Sequence, residues 1–505
     1  MKSMTVITLI AFQSFIFMAS TPWANTIRVP ADQNTIQDGV DTAVDGDTVL
    51  IANGTYKGIG NREIDLGGKS IVVRSENGPK STIIDGEQDG RIFDIVSGEG
   101  PGTLIENLTI SNGYAYRSDG GGIRCQDSSP TVVNCIIRDN VAWYSGGGIY
   151  CDNCSLTVSD CLILDNSGSG IACSRSSVDL HDCVVKDNSA GWGGGISSYG
   201  SRLKLTSCVV SSNSAGYAVE HAEAFGGGID CDSVSLANCI IADNYVKAGI
   251  WYGFAFGGGI SCHSANITNC TFFGNEAWGG LWFGEDGGAI YCREAVDINN
   301  CILWDDSPNE LCGYKGMSLS VTYSDIDGGW DGIGNIDIDP LFRDPDNGDY
   351  HLMAIECGDS LDSPCIDAGD PLIFDDVLDC GHGLGFARWS DMGAYGGKNA
   401  GWPTAVEEEE EGRDASIPKD FGLFQNYPNP FNSETVLRYR LSHSGLVTLS
   451  VYNVIGQRVA ILIDDFKEAG EHSILWKASD YSSGIYFARL EIGGSAKMVK
   501  MILLK

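Results

Sequence analysis

GGGIYCDNCSLTVSDCLILDN, residues 146–166, contains the whole grammar of a repeat that runs through the chain. Three glycines precede Ile149, Cys151 follows two residues on, Cys161 stands ten residues beyond that, and Asn166 five residues later. The tripeptide Gly-Gly-Gly before Ile recurs at Ile123, Ile196, Ile229 and Ile260, with variants ending at Ile171 and Ile290. Two residues after each Ile comes Cys125, Cys151, Cys173, Ser198, Cys231, Cys262 or Cys292. A second cysteine column is Cys135, Cys161, Cys183, Cys208, Cys239, Cys270 and Cys301. An asparagine column follows at Asn140, Asn166, Asn188, Asn213, Asn244 and Asn275, with Asp306 in the last turn.

Within each unit apolar residues alternate, as in Leu156-Thr157-Val158, which is the two-residue period of strands. Successive Ile anchors lie 26, 22, 25, 33, 31 and 30 residues apart. A unit this short cannot bury its apolar face alone and must stack on its neighbours, about 4.8 Å per rung. A leucine-rich solenoid would need a Leu scaffold, and the calcium nonapeptide repeat would need Asp every nine residues or so. Neither is present. The expected fold is all-β, a right-handed parallel β-helix. Stacking also explains the columns. Asn tolerates a left-handed turn and its amide can bond to the same amide one rung away. The glycines permit a bend that no side chain could accompany. In-register rungs bring the cysteines within bridging reach, but seven thiols cannot pair completely, so stacked interior thiols are favoured over disulfides.

The opening Ile27-Arg28-Val29-Pro30, Thr35-Ile36-Gln37 and Gly46-Asp47-Thr48-Val49 resembles the cap and first coils of bacterial secreted proteins of the pectate-lyase-like superfamily. The coils with Gly-Gly-Ala-Ile and Asn also resemble the repeats of chlamydial polymorphic outer-membrane proteins. Gly334-Asn335-Ile336-Asp337, Asp339-Pro340-Leu341-Phe342, Ser363-Pro364-Cys365-Ile366-Asp367 and Asp391-Met392-Gly393-Ala394-Tyr395 resemble the segment that closes such helices. The superfamily includes lyases, hydrolases and non-enzymatic adhesins, so this likeness implies a fold rather than an activity.

Composition changes at Gly401. Trp402-Pro403 and the run Glu407 to Glu411 read as a solvated linker. Beyond it, Asn426-Tyr427-Pro428-Asn429-Pro430-Phe431-Asn432, Val451-Tyr452-Asn453, Ser483-Gly484-Ile485-Tyr486-Phe487 and the tail Lys497-Met498-Val499-Lys500 resemble the C-terminal sorting domain of type IX secretion substrates. That resemblance implies a small immunoglobulin-like β-sandwich read by an outer-membrane translocon. At the other end, Lys2, the apolar run Met4 to Met18 and Pro22-Trp23-Ala24 read as a signal peptide. The expected division is a signal peptide at 1–24, the β-helix at 25–339, its closing segment at 340–400, an acidic linker at 401–419 and the sorting domain at 420–505. Lysine plus arginine against aspartate plus glutamate is 32 − 67 = −35, which makes nucleic acid a poor partner. No further run is long enough to span a bilayer, so a secreted chain, free or attached at the outer-membrane surface, is expected.

Function is less legible. From the column Asn to the next Ile the gap is 9, 5 and 8 residues in early coils, then 16, 16 and 15. Insertions in solenoids map to one face, commonly the binding face. These are rich in rings, with Trp251, Tyr252, Trp278 and Trp282, while Trp143 and Trp192 stand at the same turn of shorter coils. Stacked aromatics suit the C–H faces of sugars, which points to a binding or adhesive module for a polysaccharide, a surface glycan or another partner. The competing arrangement has the rings buried on each other. An enzyme, lyase or glycoside hydrolase, would draw on the acidic insertion residues Glu220, His221, Glu223, Glu276, Glu285 and Asp286. A structural spacer is the third reading. Arg124, Arg138, Arg175, Lys186, Arg202 and Lys204 are scattered with no evident carboxylate column, and His181 and His263 stand without evident partners. No metal or cofactor motif is present. Calcium is the ion that the acid excess would suit, but Asp325, Asp327, Asp331, Asp337 and Asp339 lack EF-hand spacing.

Overall fold

The computed structural model describes residues 24–505 except 217–222, 250–252, 280–284, 315, 356–358, 374–389, 397–421 and short stretches of the C-terminal region (424–425, 427–430, 433, 442–444, 455–456, 468–469, 479–480, 493–494 and 505). The signal-peptide segment thus lies almost wholly outside the described residues. The chain divides into two units, Met1–Val406 and Glu407–Lys505.

The first unit is a parallel solenoid. Among the described residues one face is a 17-stranded sheet and a second an 11-stranded sheet, in which rung pairs with rung in parallel. The third face is a row of short pairings, from Tyr114–Ala115 and Val141–Ala142 through Ser167 to Ser189–Ala190, Ser214–Gly216, Tyr245–Lys247 and Glu276–Trp278. The register is the one the repeat predicts. Ile123, Ile149, Ile171, Ile196, Ile229, Ile260 and Ile290 lie directly over one another. So do Cys125, Cys151, Cys173, Ser198, Cys231, Cys262 and Cys292. Their side chains fill one continuous apolar core. The helix Ile36–Thr42, capped by Thr35 and burying Ile36 and Val40, packs at the N-terminal end.

The asparagines form an unbroken ladder. Each Nδ2 donates to the Oδ1 of the next, from Asn140 through Asn166, Asn188, Asn213 and Asn244 to Asn275, at 2.9–3.1 Å. The same Oδ1 also accepts the preceding rung's backbone N–H, so every amide is saturated while buried. The left-handed residue expected at Asn is instead its predecessor: Asp139, Asp165, Asp187, Ser212, Asp243, Gly274 and Asp305 have φ of 53–65°. The amide is consumed inward by the ladder, so the positive φ passes to a short residue at the preceding corner.

The glycines are explained by the same ladder. A Cβ on Gly148 would come within 2.5 Å of the Gly170 carbonyl and 3.1 Å of the Asn166 amide. Equivalent contacts recur at Gly122, Gly170, Gly195 and Gly228.

All sixteen described cysteines are free thiols. Those of the second column do more than fill space. The Cys161 Sγ accepts the Cys135 N–H at 3.4 Å while its S–H donates to the Ser159 carbonyl at 3.1 Å. In the last rung Ser324 performs both tasks, to Cys301 N–H and the Thr322 carbonyl. Each thiol therefore saturates a corner that also has a left-handed residue before it, from Asn134 to Asn300. A disulfide would remove the thiol hydrogen that these corners use.

At its C-terminal rung the ladder ends on acid. The Asn275 backbone N–H and Nδ2 donate to Asp306 Oδ1 at 2.6 and 2.7 Å, and the Asp306 N–H donates to Glu310 Oε1 at 3.1 Å. Asp306 Oδ2 and Glu310 Oε2 are both buried. Burial raises both acids: Asp306 to about 7, against the hydrogen bonds it takes from Glu310 and Asn275, and Glu310 further, helped by the charge of Asp306 and the hydrogen bond to it. The pair holds a proton that the unfolded chain would have released near pH 4.

Residues following Phe342 lie along the outer face of the second sheet. Phe342, Tyr350, Leu352 and Met392 cluster with Ile240, Ala242 and Ile302 there. Asn300 Nδ2 donates to the Asp391 carbonyl at 2.7 Å, and the Ala394 N–H to Thr271 Oγ1 at 3.0 Å. The segment expected to close the helix is therefore fastened to its side. In the second unit, the described residues form antiparallel sheets of three and four strands that share one apolar cluster, including Leu437, Leu449, Trp476, Ala488 and Met501.

Two outcomes follow. Replacing Cys161 by Val leaves the Cys135 N–H without an acceptor, at a cost of about 1–3 kcal/mol in urea unfolding, whereas Cys161→Ser retains both bonds and loses less. The raised acids give a signed pH dependence. Between about pH 4 and 7 the folded pair binds more protons than the unfolded chain, so its stability contribution, complete below pH 4, is lost as pH rises. Asp306→Asn continues the amide ladder, and urea midpoints measured from pH 4 to 8 should fall less steeply than in the wild type. The other ionisable groups facing the pair, Asp305, Asp327 and Tyr350, are left in place.

Candidate binding groove

The third face is concave because its rungs have unequal connections. Where the chain passes from Asn166 to Ile171 in five residues it leaves only Ser167, Gly168, Ser169 and Gly170 outside the core. Later rungs carry long insertions whose returning limbs, Ala224–Phe225, Ala255–Phe256 and Glu285–Asp286, pair as one more short parallel sheet. Between lies a groove of about 780 Å³. Its floor is small and polar, from Ser167, Gly168, Ser189, Ala190, Ser214 and Gly216, with Trp143 and Tyr144 at one end and Tyr245, Lys247 and Ala248 at the other. Trp143 and Lys247 stand four rung steps apart, or roughly 19 Å at the usual strand spacing.

The expected aromatic residues divide into two populations. Trp143, Tyr144 and Trp192 are 58%, 61% and 51% exposed. The Trp143 ring meets Tyr116 edge-on at 5.7 Å, and the Trp192 indole donates to the Glu223 carbonyl at 3.3 Å. In contrast, the rings at the loop bases stack on themselves: Phe225 on Phe256 at 5.4 Å, then Phe256 against Tyr291 at 4.4 Å. Trp278 is half-buried, with the Lys247 ammonium 4.5 Å above its ring. Trp251, Tyr252 and Trp282 lie outside the described residues, as do Glu220 and His221. Of the remaining acids, Glu223 and Glu276 are exposed, the side chain of Glu285 is outside the described set, and Asp286 accepts from the Cys312 thiol. None of these acids lines the groove, whose one charged lining residue among the described residues is Lys247.

The outer face of the first sheet corrects two further expectations. Basic residues there do have carboxylate partners. Arg124 binds both oxygens of Asp94 at 2.6 and 2.8 Å, and Arg175 binds both of Asp152 at 2.6 Å. The two histidines are paired as well, His181 with Asp179 and His263 with Asp232, each at 3.2 Å. The partners of Arg124, Arg175 and His263 stand on adjacent rungs and are remote in sequence, which hid them, whereas Asp179 lies two residues from His181 on its own strand. The signal was the outward period of two on either side of each inward cysteine. Asp325, read as part of an acidic stretch, is buried and accepts from Cys365 Sγ at 3.0 Å and from the Ile338 N–H at 3.2 Å. Among the described residues no three His, Cys, Asp or Glu side chains gather as a metal-binding group.

Residues 80–224 match the family described as right handed beta helix region, and residues 269–293 match the Chlamydia polymorphic membrane protein repeat. Residues 425–505 match the secretion system C-terminal sorting domain. A similar solved structure is that of pectate lyase Pel9A, at 13% identity and a TM-score of 0.44, covering 71% of this chain and 90% of that one. No curated protein matches the chain. Fold and matches define a right-handed parallel β-helix protein. It ends in a type IX secretion sorting domain and so belongs with secreted or cell-surface β-helix proteins. No described helix is long and apolar enough to cross a membrane.

Proposed function

We propose that the solenoid is an extracellular binding module that holds a glycan chain along its third face. The observation that carries this reading is the groove itself: exposed Trp143 and Tyr144 at one end, Tyr245 and Lys247 at the other, and hydroxyl-bearing Ser167, Ser189 and Ser214 between. Ring faces take up sugar C–H surfaces while hydroxyls and backbone groups bond to the sugar edges. A groove several rungs long suits a polymer laid parallel to the solenoid axis. Among the described residues its lining has none of the paired carboxylates that glycoside cleavage requires, which favours holding over cutting at this position.

In this reading residues 1–24 direct export across the inner membrane, and residues 420–505 deliver the chain to the outer-membrane translocon. The acidic segment 401–419 is the tether between body and sorting domain. Deleting residues 420–505 is expected to leave the protein inside the cell envelope, as read by fractionation of cells expressing both forms. For the groove, a glycan array probed with the mature body should give hits that weaken about tenfold or more in Trp143→Ala and Tyr144→Ala. A folded body that binds no glycan on the array sinks the proposal.

A further inference from the structure

The first cysteine column differs from the second in what its thiols do. Second-column sulfurs serve corner N–H groups, whereas in the first column Cys151 bonds to Cys173 and Cys262 to Cys292. The two pairs have different surroundings. Cys125 and Ser198 stand on either side of Cys151 and Cys173, deep in the stack. Cys262 and Cys292 have Cys231 on one side but Gly313 on the other, in the last rung of that sheet among the described residues. A Cβ on Gly313 would overlap the Met317 sulfur, so an unbranched thioether takes the place of a core side chain there. Leu311, Met317 and Leu319 are half-buried at this end, and Cys292 is reached when Met317 swings aside. A bulge sits at the same rung. The register shifts between Cys262 and Ser264, where His263 alone faces both Arg293 and Glu294. Main-chain N–H groups of Glu294, Ala295 and Arg293 are thereby turned onto the Cys292 sulfur, a nest of the kind that holds anions.

We propose that Cys262 and Cys292 are a thiol–disulfide exchange site, with Cys292 the attacking sulfur and Cys262 the resolving one, which a disulfide-bearing oxidant of the cell envelope closes to a bond after export. In-register parallel strands put their Cα atoms about 4.8 Å apart, inside the span that a disulfide accepts. The bond from Cys262 above all brings the Cys292 thiol down to about 7, against burial and with help from the three N–H groups. The same bond, together with burial, pushes Cys262 well up. A thiol that titrates near the ambient pH attacks fastest. In the first step the Cys292 thiolate bonds to one sulfur of the oxidant, whose S–S bond breaks and leaves its electron pair on a departing thiolate. Cys262 then gives its proton to solvent and attacks the Cys292 sulfur, and the mixed disulfide breaks with loss of the second thiolate. Two protons and two electrons have passed from the pair to the oxidant, which ends as two thiols. Cys292 gives up its bond to the His263 carbonyl at 3.1 Å, which is the bond of a weak donor. The disulfide closes residues 262–292 into one loop, which contains the ridge limb Glu285–Asp286, at the C-terminal end of the stack. The sorting tail supplies the setting, since it points to a secreted or cell-surface chain and disulfides persist outside the cytoplasm.

The test uses the full chain, reduced and then held at about pH 7 with oxidised glutathione. Samples are quenched in acid, alkylated with N-ethylmaleimide in denaturant, digested and read by mass spectrometry. A Cys262–Cys292 cross-link is expected, with Cys151, Cys173 and the second column alkylated. Cys262→Ser should trap glutathione on Cys292 about tenfold or more faster than Cys292→Ser traps it on Cys262. Serine already stands in this column at Ser198, so both variants carry a side chain that the stack accepts, and the wild-type cross-link is read without either. Absence of the Cys262–Cys292 cross-link, a Cys151–Cys173 cross-link formed as fast, or faster trapping on Cys262 than on Cys292 would overturn the assignment.

Discussion

Everything in the solenoid depends on a column of side-chain amides that bond to one another through the core. A buried amide costs several kcal/mol if left unpaired, and here each one is saturated only when the next rung supplies an Oδ1 at about 3 Å. The ladder therefore tolerates no slip. A shift of one residue would orphan a donor on every turn and turn each strand's apolar side outward. The third glycine of each motif belongs to the same constraint, because its missing Cβ is the space into which the adjoining amide fits. Where Ala289 replaces that glycine, the ladder residue is Asp306 and the amide chain stops.

Locked register converts sequence columns into surfaces. Second-column thiols cap corner N–H groups, so a residue type usually read as a small hydrophobe acts as a weak donor and acceptor at each turn. The same register piles short connections over short ones and long over long. That produces a recess beside a ridge with no further instruction. The ridge pairs its own limbs and stacks Phe225 on Phe256, and the recess keeps Trp143 and Tyr144 open.

Charge is arranged rung by rung. Net charge is −35, yet the first sheet's outer face carries forks between Arg124 and Asp94 and between Arg175 and Asp152, while among the described residues the groove lining has only Lys247 as a charge. Between these, Asp230, Asp232, His263 and Arg293 occupy consecutive rungs bounded by bulges, and there Asp232 is paired by an imidazole rather than by a guanidinium fork.

The repeat was legible from Gly146 to Asn166 alone, because stacking needs like residues at like positions and a linear spacing reports that directly. The sorting domain was legible for a similar reason, in its Asn426-to-Asn432 and Ser483-to-Phe487 motifs. Trp143 and Trp192 could be assigned to the correct turn, but their exposure could not be read, since Phe225 and Phe256 look the same in sequence and half-bury each other in space. The partner of His263 was invisible for another reason. Asp232 and His263 are thirty-one positions apart along the chain and one rung apart in the solid. Periodicity determined which residues share a column. Only the folded stack decided which columns face each other, because that depends on where bulges, left-handed corners and unequal loops turn the backbone between one sheet and the next.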